Sequence, residues 1–301
     1  MKYTYYPGCS LEATAKEYDI STRAVLRELG VEFEELKDWT CCGASAAETV
    51  SYLLSLVLPA RNLALAEQAS SDGQVIASCT ACYVNFRKVE ERVRETPGLL
   101  DTINEALSVD GLAYTGKVRA RHLLDVLAND VGPQAIADRV KRPLTALRVA
   151  PYYGCQTVRP YSPFDAPDVP ESMDRVLAAL GAQVYPNPMK AKCCGGTLLT
   201  TKREVGLKLV SDLLKAVEGA DCIATVCPMC QMNLDAYQGL VSQKLGRPVN
   251  IPVLYLTQLL GLAFGLPEEQ LGLKYNIVPF ASHRSQVTSH RSQVAGHRLE
   301  T

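Results

Sequence analysis

Ten of the eleven cysteines in this 301-residue chain fall into two sets of five: Cys9, Cys41, Cys42, Cys79 and Cys82, then Cys155, Cys193, Cys194, Cys227 and Cys230. Both sets read Gly-Cys, then Cys-Cys-Gly, then Cys-x-x-Cys. Thiolates are soft ligands, suited to zinc and to iron–sulfur centres. The vicinal pairs carry the most information. Successive side chains of an extended segment point to opposite faces, so both members of such a pair rarely bind one tetrahedral ion. A larger multi-iron cluster can accept both. Gly43 and Gly195 after each pair give the turn freedom and leave room for inorganic sulfide. In each Cys-x-x-Cys the first cysteine is expected to end a strand and the second to open a helix, whose dipole offsets part of an anionic cluster's charge.

Three plainer readings stay open. Two zinc sites, or ordinary cubane or two-iron clusters, need four ligands each and leave a fifth cysteine without a role. Disulfides fit poorly with a reducing compartment. Clusters held by five thiolates use all ten residues.

The elements that must position these thiols are written twice. Cys9 to Cys41 is 32 positions and Cys155 to Cys193 is 38; Cys42 to Cys79 is 37 and Cys194 to Cys227 is 33. Strand-like runs at Lys2–Tyr6 and Leu147–Tyr153 lead into the first cysteines. Helical patterns follow at Tyr18–Leu29 and Glu171–Leu180, stopped by Gly30 and Gly181. Second strands are expected at Val31–Leu36 and Ala182–Tyr185, then long helices at Ala46–Ser70 and Lys202–Glu218. Third strands, Gln74–Ala77 and Cys222–Val226, deliver the chain to Cys79 and Cys227. Helices Tyr83–Glu95 and Gln231–Leu245 leave the Cys-x-x-Cys motifs, and trailing helices are expected at Arg119–Asn129 and Val253–Phe264.

This alternation predicts an α/β fold of two pseudo-symmetric repeats, each a small, mostly parallel sheet flanked by helices. The cluster sites then fall at the C-terminal strand ends, where open α/β sheets bind ligands. The expected division is 1–145 and 146–275, one site each, with 276–301 as a polar tail. In that tail Ser-His-Arg-Ser-Gln-Val occurs twice, spacing His283, His290 and His297 by seven residues; disorder, or a helix docked on a partner, is expected there.

Composition sets the remaining bounds. The net charge of -1, from 31 basic and 32 acidic side chains, offers no concentrated basic face for nucleic acid or anionic lipid. No signal-peptide stretch opens the sequence, and the longest apolar runs, Tyr52–Ala60 and Ile251–Leu266, are too short or too interrupted to span a bilayer. A soluble, cytoplasmic protein with reduced thiols is expected.

The segments YYPGCSLEATAKEYDIS, DWTCCGASAAET, LPARNLALAE, ASCTACYVNF, PYYGCQTVRP, KCCGGTLLT and VCPMCQMNLDAYQ resemble the cysteine-rich CCG domain family, in particular its heterodisulfide reductase branch of B-type subunits. The resemblance spans roughly residues 1–265. It implies that Cys9, Cys41, Cys42, Cys79 and Cys82 bind one noncubane 4Fe–4S cluster, and Cys155, Cys193, Cys194, Cys227 and Cys230 a second. It also implies two clusters facing one cavity, where a small or protein-bound disulfide is cleaved or formed. Electrons would pass through two partners, a C-type, ferredoxin-like iron–sulfur subunit and an A-type, flavin-containing one. Relatives with CCG repeats also serve lactate, glycolate, glycerol-3-phosphate and fumarate-linked oxidoreductases as electron relays, the alternative reading here.

Other residues are assigned by context. Tyr5, Tyr6, Tyr152 and Tyr153 precede the first cysteines and suit either a cavity wall or the core. Arg61 and Arg159 lie near the motifs and are expected at the surface. His122 is expected on a helix surface, and Cys222, which has no counterpart in the first half, in the core.

Overall fold

A computed structural model describes residues 1–69, 73–161 and 163–280. The histidine repeat at His283, His290 and His297 lies outside the described residues.

Two four-stranded sheets are built, each wholly parallel. The first contains β1 (Lys2–Tyr6), β2 (Glu32–Glu35), β3 (Gln74–Ala77) and β4 (Arg119–His122) in the order β2-β1-β3-β4. The second repeats this with β5 (Arg148–Tyr152), β6 (Gln183–Val184), β7 (Cys222–Thr225) and β8 (Val253–Tyr255) in the order β6-β5-β7-β8. Buried Tyr3, Tyr5 and Tyr6 in β1 and Val75, Ile76 and Ala77 in β3 mark the inner strands, while β2 (EFEE) is a mostly exposed edge. Charged edge strands of this kind resist pairing with other chains.

Registers are equivalent in the two sheets: Ala77 pairs with His122 as Thr225 pairs with Tyr255. These pairings correct the expected trailing helices. Arg119–His122 and Val253–Tyr255 are fourth strands, and helical backbone begins only at Leu123 and Leu256. Parallel order requires crossovers, and helices supply them: Lys16–Glu28, Leu54–Ala69 and Thr80–Glu95 in the first half, Ser172–Ala179, Arg203–Ala216 and Pro228–Ala236 in the second. The expected long helix from Ala46 is broken at Ser51, whose backbone is extended, leaving Ala47–Val50 and Leu54–Ala69. Gly30 and Gly181 stop their helices as anticipated, with φ of +68° and +76°. The next amides, Val31 N and Ala182 N, reach back to Leu26 O and Leu177 O.

The halves exchange helices. Lys16–Glu28 of the first half packs on Leu256–Ala263 of the second. There Ser21 Oγ lies 2.7 Å from Thr257 Oγ1, and Tyr18 stacks on Tyr255 at 4.0 Å. Reciprocally, Ser172–Ala179 packs against the segments Val126–Val131 and Gly132–Ala137. One hydrophobic core therefore runs through the first half and across this boundary, and a second covers the far face of the second sheet. Asn276–Val278 close on the second half: the Asn276 side chain donates to Val253 O, and the Ile277 and Val278 amides donate to the Asp235 carboxylate. Among the described residues, no helix is long and apolar enough to cross a membrane.

Candidate metal centres at the strand ends

Because the sheets are parallel, their carboxyl ends share an edge, and the cysteine loops leave from it. Cys9 opens a short helix, Cys9–Glu12, just past β1; Cys79 caps Thr80–Glu95 just past β3; Cys227 caps Pro228–Ala236 just past β7. The vicinal pairs arrive from the crossovers that follow β2 and β6.

The structure brings all five thiols of each set together, in one order. In the first site Cys9 lies 3.6 Å from Cys41 and Cys42 lies 3.3 Å from Cys82, with Cys41 next to Cys42 and Cys79 beside Cys82. In the second, Cys155, Cys193, Cys194, Cys230 and Cys227 neighbour one another in the same succession. Each chain of sulfurs starts at or near the surface, with Cys9 and Cys41 exposed, Cys155 half-buried and Cys193 exposed. Each ends in buried Cys42, Cys79 and Cys82, or Cys194, Cys227 and Cys230. Among the described residues, no group of three or more His, Cys, Asp or Glu is arranged to hold a single metal ion. Five thiols gathered at one strand edge suit a centre with several metal atoms better than one tetrahedral ion.

Electrostatics within each string are those of a shared charge. Hydrogen bonds from Cys41 and Cys82 hold Cys42 well below the usual thiol range, whereas Cys41 and Cys82 are pushed up. In the second site bonds from Cys155 and Cys194 pull Cys193 down to about 2, and Cys194 rises to about 11. Cys227 falls to about 7 through its bonds to Cys230, helped by helix amides and by the Thr80 hydroxyl. Thiolate is the form that binds metal.

Glycine before each first cysteine is a steric requirement. Gly8 has φ +74°, and a Cβ there would stand 3.2 Å from Cys82 Sγ; at Gly154, φ +72°, it would stand 2.8 Å from Cys230 Sγ. The backbone is thus pressed against the thiol at the same place in both halves, a cradle that a side chain would fill. With five soft donors, the residues fit an iron–sulfur centre. Gly43 and Gly195 serve differently from the sequence expectation of space for sulfide. A Cβ at Gly43 would meet Leu58 and Ala47, and one at Gly195 would meet Gly206, so these glycines let the vicinal loop close on the following helix.

The surrounding polar groups also repeat. Tyr6 and Tyr152 are buried beneath the thiols, and their hydroxyls donate to Thr40 O at 2.9 Å and Lys192 O at 2.8 Å, the carbonyls just before each vicinal pair. Tyr5 and Tyr153 turn to the flanking helix, donating to Asp19 and Asp174. Sequence reasoning missed two asparagines. Asn85 donates to Cys42 O at 2.9 Å, and Asn233 reaches Cys194 O, Cys194 Sγ and Gly196 O. Both stand three residues after the second cysteine of a Cys-x-x-Cys, a match visible once the halves are aligned. Arg61 is held outside by Asp38 and Asp110, and Arg159 by Asp168 and Ala191 O. Cys222 is buried in β7, away from both strings.

His122 is a correction. It ends β4, fully buried, instead of lying on a helix surface. It does so because the last strand residue caps the next helix: Nδ1 accepts from Leu124 N at 3.1 Å. Burial lowers its pKa to about 3.

The boundary between the halves joins the two sites. The Tyr18 hydroxyl lies 3.1 Å from Ser78 O and 3.2 Å from Val226 O, the residues before Cys79 and Cys227. One buried hydroxyl therefore touches both Cys-x-x-Cys loops.

Residues 3–87 and 149–235 each match the CCG cysteine-rich domain. The chain belongs to the CCG family. Among its relatives is a Wolinella succinogenes protein named 8-methylmenaquinol:fumarate reductase membrane anchor subunit, 36% identical over 92% of this chain and 97% of its own. Another is the B-type subunit of a Methanosarcina acetivorans ferredoxin/F420H2-dependent CoB-CoM heterodisulfide reductase, 28% identical over 92% and 94%. An Archaeoglobus profundus protein, named as like the heterodisulfide reductase B-type subunit, is 29% identical over 91% and 94%. A Helicobacter pylori crystal structure of a hypothetical protein shares the fold, with a TM-score of 0.73 at 17% identity. It covers 92% of this chain, which spans only 52% of that one. This chain is thus a CCG protein similar to the B-type subunits of heterodisulfide reductases, with its two CCG repeats in two equivalent sheets.

Proposed function

We propose that this CCG protein is the iron–sulfur subunit of a heterodisulfide-reductase-like complex, and that its two sites act together on one disulfide, cleaving or forming it. In this reading units 1–145 and 146–275 each carry a noncubane 4Fe–4S cluster on the five cysteines of their set. The observation that carries it is the pair of five-thiol groups, equal in order, whose Cys-x-x-Cys loops are both touched by the Tyr18 hydroxyl through Ser78 O and Val226 O. Two equivalent one-electron centres side by side match the two electrons and two sulfurs of an S–S bond. When bound, the clusters would supply those electrons and open iron positions for sulfur.

The chain's own residues do the rest. Their cysteine neighbours favour the thiolate form of Cys42 and Cys193, the form that binds metal. The helices beginning after Cys79 and Cys227 direct amide dipoles at the sites, offsetting negative charge. Tyr6, Tyr152, Asn85 and Asn233 fix the vicinal loops, so that little rearrangement accompanies electron transfer. No protein base is required, and the buried, neutral His122 fits that chemistry. Partners in this reading are a C-type, ferredoxin-like iron–sulfur subunit and an A-type, flavin-containing one, in the reducing cytoplasm.

A second reading rests on the 36% identity to the Wolinella fumarate reductase subunit: an electron-relay subunit of a fumarate-linked oxidoreductase. The anaerobically isolated complex separates the two. The first reading expects about eight irons per chain, oxidation of reduced viologen by a disulfide, and a thiol-induced paramagnetic signal. Fumarate reduction by the complex with no disulfide turnover would replace it with the second.

A further inference from the structure

Tyr18 touches the backbone units that carry one cysteine of each site. The Ser78 and Val226 carbonyls lie just past β3 and β7, and each belongs to the planar peptide unit that continues into Cys79 or Cys227. A group that fixes such a carbonyl therefore fixes the amide and Cα of the cysteine that follows. The single Tyr18 hydroxyl hydrogen is shared between the two, with oxygen separations of 3.1 Å and 3.2 Å. Its ring has no freedom of its own: Tyr18 is buried and lies flat on Tyr255, with 4° between the rings. Tyr255 ends β8, the neighbour of β7, so a side chain of the first half is seated on the second.

A second tie runs beside it. Thr80, between Cys79 and Cys82, places Oγ1 3.1 Å from Thr157 Oγ1 and 3.4 Å from Val226 O. Thr157 stands two residues after Cys155 and donates to Tyr153 O at 2.6 Å. The Val226 carbonyl thus meets two side chains of the first half, and loops of both sites form one buried hydrogen-bonded unit. By contrast, the contact between Ser21 and Thr257 crosses the same boundary and touches no cysteine loop.

Resting on the iron–sulfur reading above, we propose that the two sites fill cooperatively, with Tyr18 and Thr80 as the positioning residues that couple them. Metal binding supplies the ordering that a set of thiolate ligands needs. The first cluster to bind orders its own loop and, through the Tyr18 hydroxyl and Thr80, the backbone of the opposite Cys-x-x-Cys loop. The second cluster meets a loop already ordered and binds more tightly. The coupling is reciprocal, so either site favours the other. Chains then carry two clusters or none. The half-filled form, which lacks the second centre that the disulfide reaction uses, is kept scarce.

The test is native mass spectrometry of full-length protein, reconstituted anaerobically with enough iron, sulfide and thiol to fill half of the sites. It counts chains with no, one and two clusters. Independent sites, equal or unequal in affinity, leave about half of the chains or more with one cluster, whereas a coupling of about tenfold lowers that share to about a quarter. Wild type should show the smaller share. Tyr18→Phe keeps the ring on Tyr255 and loses the hydroxyl; it and Thr80→Val should each raise the half-filled share, and the double variant should reach the independent value. With iron in excess all should hold as much as wild type. Ser21→Ala, the control on the same boundary, should keep the wild-type share. A wild type that fills as independent sites do, hydroxyl-free variants with an unchanged share, or Ser21→Ala as altered as Tyr18→Phe would each overturn the coupling. Should a variant fail to fold, the wild-type distribution decides by itself. A wild type that takes up no iron would remove the iron–sulfur reading, whereas an iron-replete protein that fills independently removes only this inference.

Discussion

Gly8→Ala separates a backbone requirement from a site requirement. Gly8 sits at φ 74°, ψ 162°, a region essentially reserved for glycine, where another residue costs about 1–3 kcal/mol. The added methyl would also stand 3.0 Å from Tyr6 Cε1 and 3.2 Å from Cys82 Sγ. Tyr6 cannot yield, because its hydroxyl is tied to Thr40 O and its ring is wedged edge-on between Trp39 and Phe86. The Cys82 thiol must move instead. Gly30→Ala is the control: its φ is also positive, +68°, but nothing lies within 4 Å of the new Cβ. That variant bears only the backbone cost, roughly 1–2 kcal/mol. At ~2–4 °C per kcal/mol, both should melt lower, Gly8→Ala by up to about 10 °C. Only Gly8→Ala should also lose iron on reconstitution, about half the wild-type amount, since one of two sites is disturbed. Gly154→Ala, with its Cβ 2.8 Å from Cys230 Sγ, should do the same to the other half. Thermal melts of the metal-free protein and iron assays after reconstitution read both effects. Full iron in Gly8→Ala, at the stability of Gly30→Ala, would refute the reasoning.

Four further outcomes are expected. Asn233→Ala frees the Gly196 and Cys194 carbonyls and should cost about 1–3 kcal/mol, with half the iron leaving faster to a chelator; Asn85→Ala should mirror it in the first site. His122, depressed by burial to about 3, binds fewer protons folded than unfolded, so its contribution is complete above pH 6.5 and is lost as pH falls toward 3. Denaturant melts of the metal-free protein should show roughly 2 kcal/mol of that loss at pH 5, and His122→Gln should flatten it. Arg61→Ala breaks pairs with the exposed carboxylates Asp38 and Asp110 and should change stability by less than about 1 kcal/mol, with iron content unaltered. Cys222→Ala should lower stability by about 1 kcal/mol and leave iron and spectra as they were.

Much of the fold was legible because the chain repeats itself. Gly30 and Gly181 marked helix ends correctly, and three strands per half were found, two of them apolar runs that lead into a cysteine. The fourth strands were hidden for different physical reasons. Arg119–His122 reads as polar because it is an edge strand, with Ala120 and His122 the buried positions. Val253–Tyr255 is only three residues long and runs straight into an apolar helix, so its period merges with the helix's. The error over His122 followed directly: a residue placed on an imagined helix became the buried end of a strand. Asn85 and Asn233 escaped because an asparagine in a helical pattern looks like surface; what they do depends on a loop some 40 residues away in sequence. The sulfur strings themselves could be grouped from spacing, but their order, and the meeting of both Cys-x-x-Cys loops at Tyr18, needed three dimensions.

Thr80 of the first half reaches Thr157 Oγ1 and Val226 O of the second, and the matching position in the second half is Pro228, which has no hydroxyl to reach back. Two identical subunits around a twofold axis would carry the same residue after each Cys-x-x-Cys first cysteine, so every change made on one side would be made on the other. Joining the copies into one polypeptide lifts that constraint. Threonine at 80 and proline at 228, or histidine at 122 and tyrosine at 255, then become independent choices. One polypeptide with two equivalent sheets can therefore hold different residues at matching places, which a symmetric pair of identical subunits cannot.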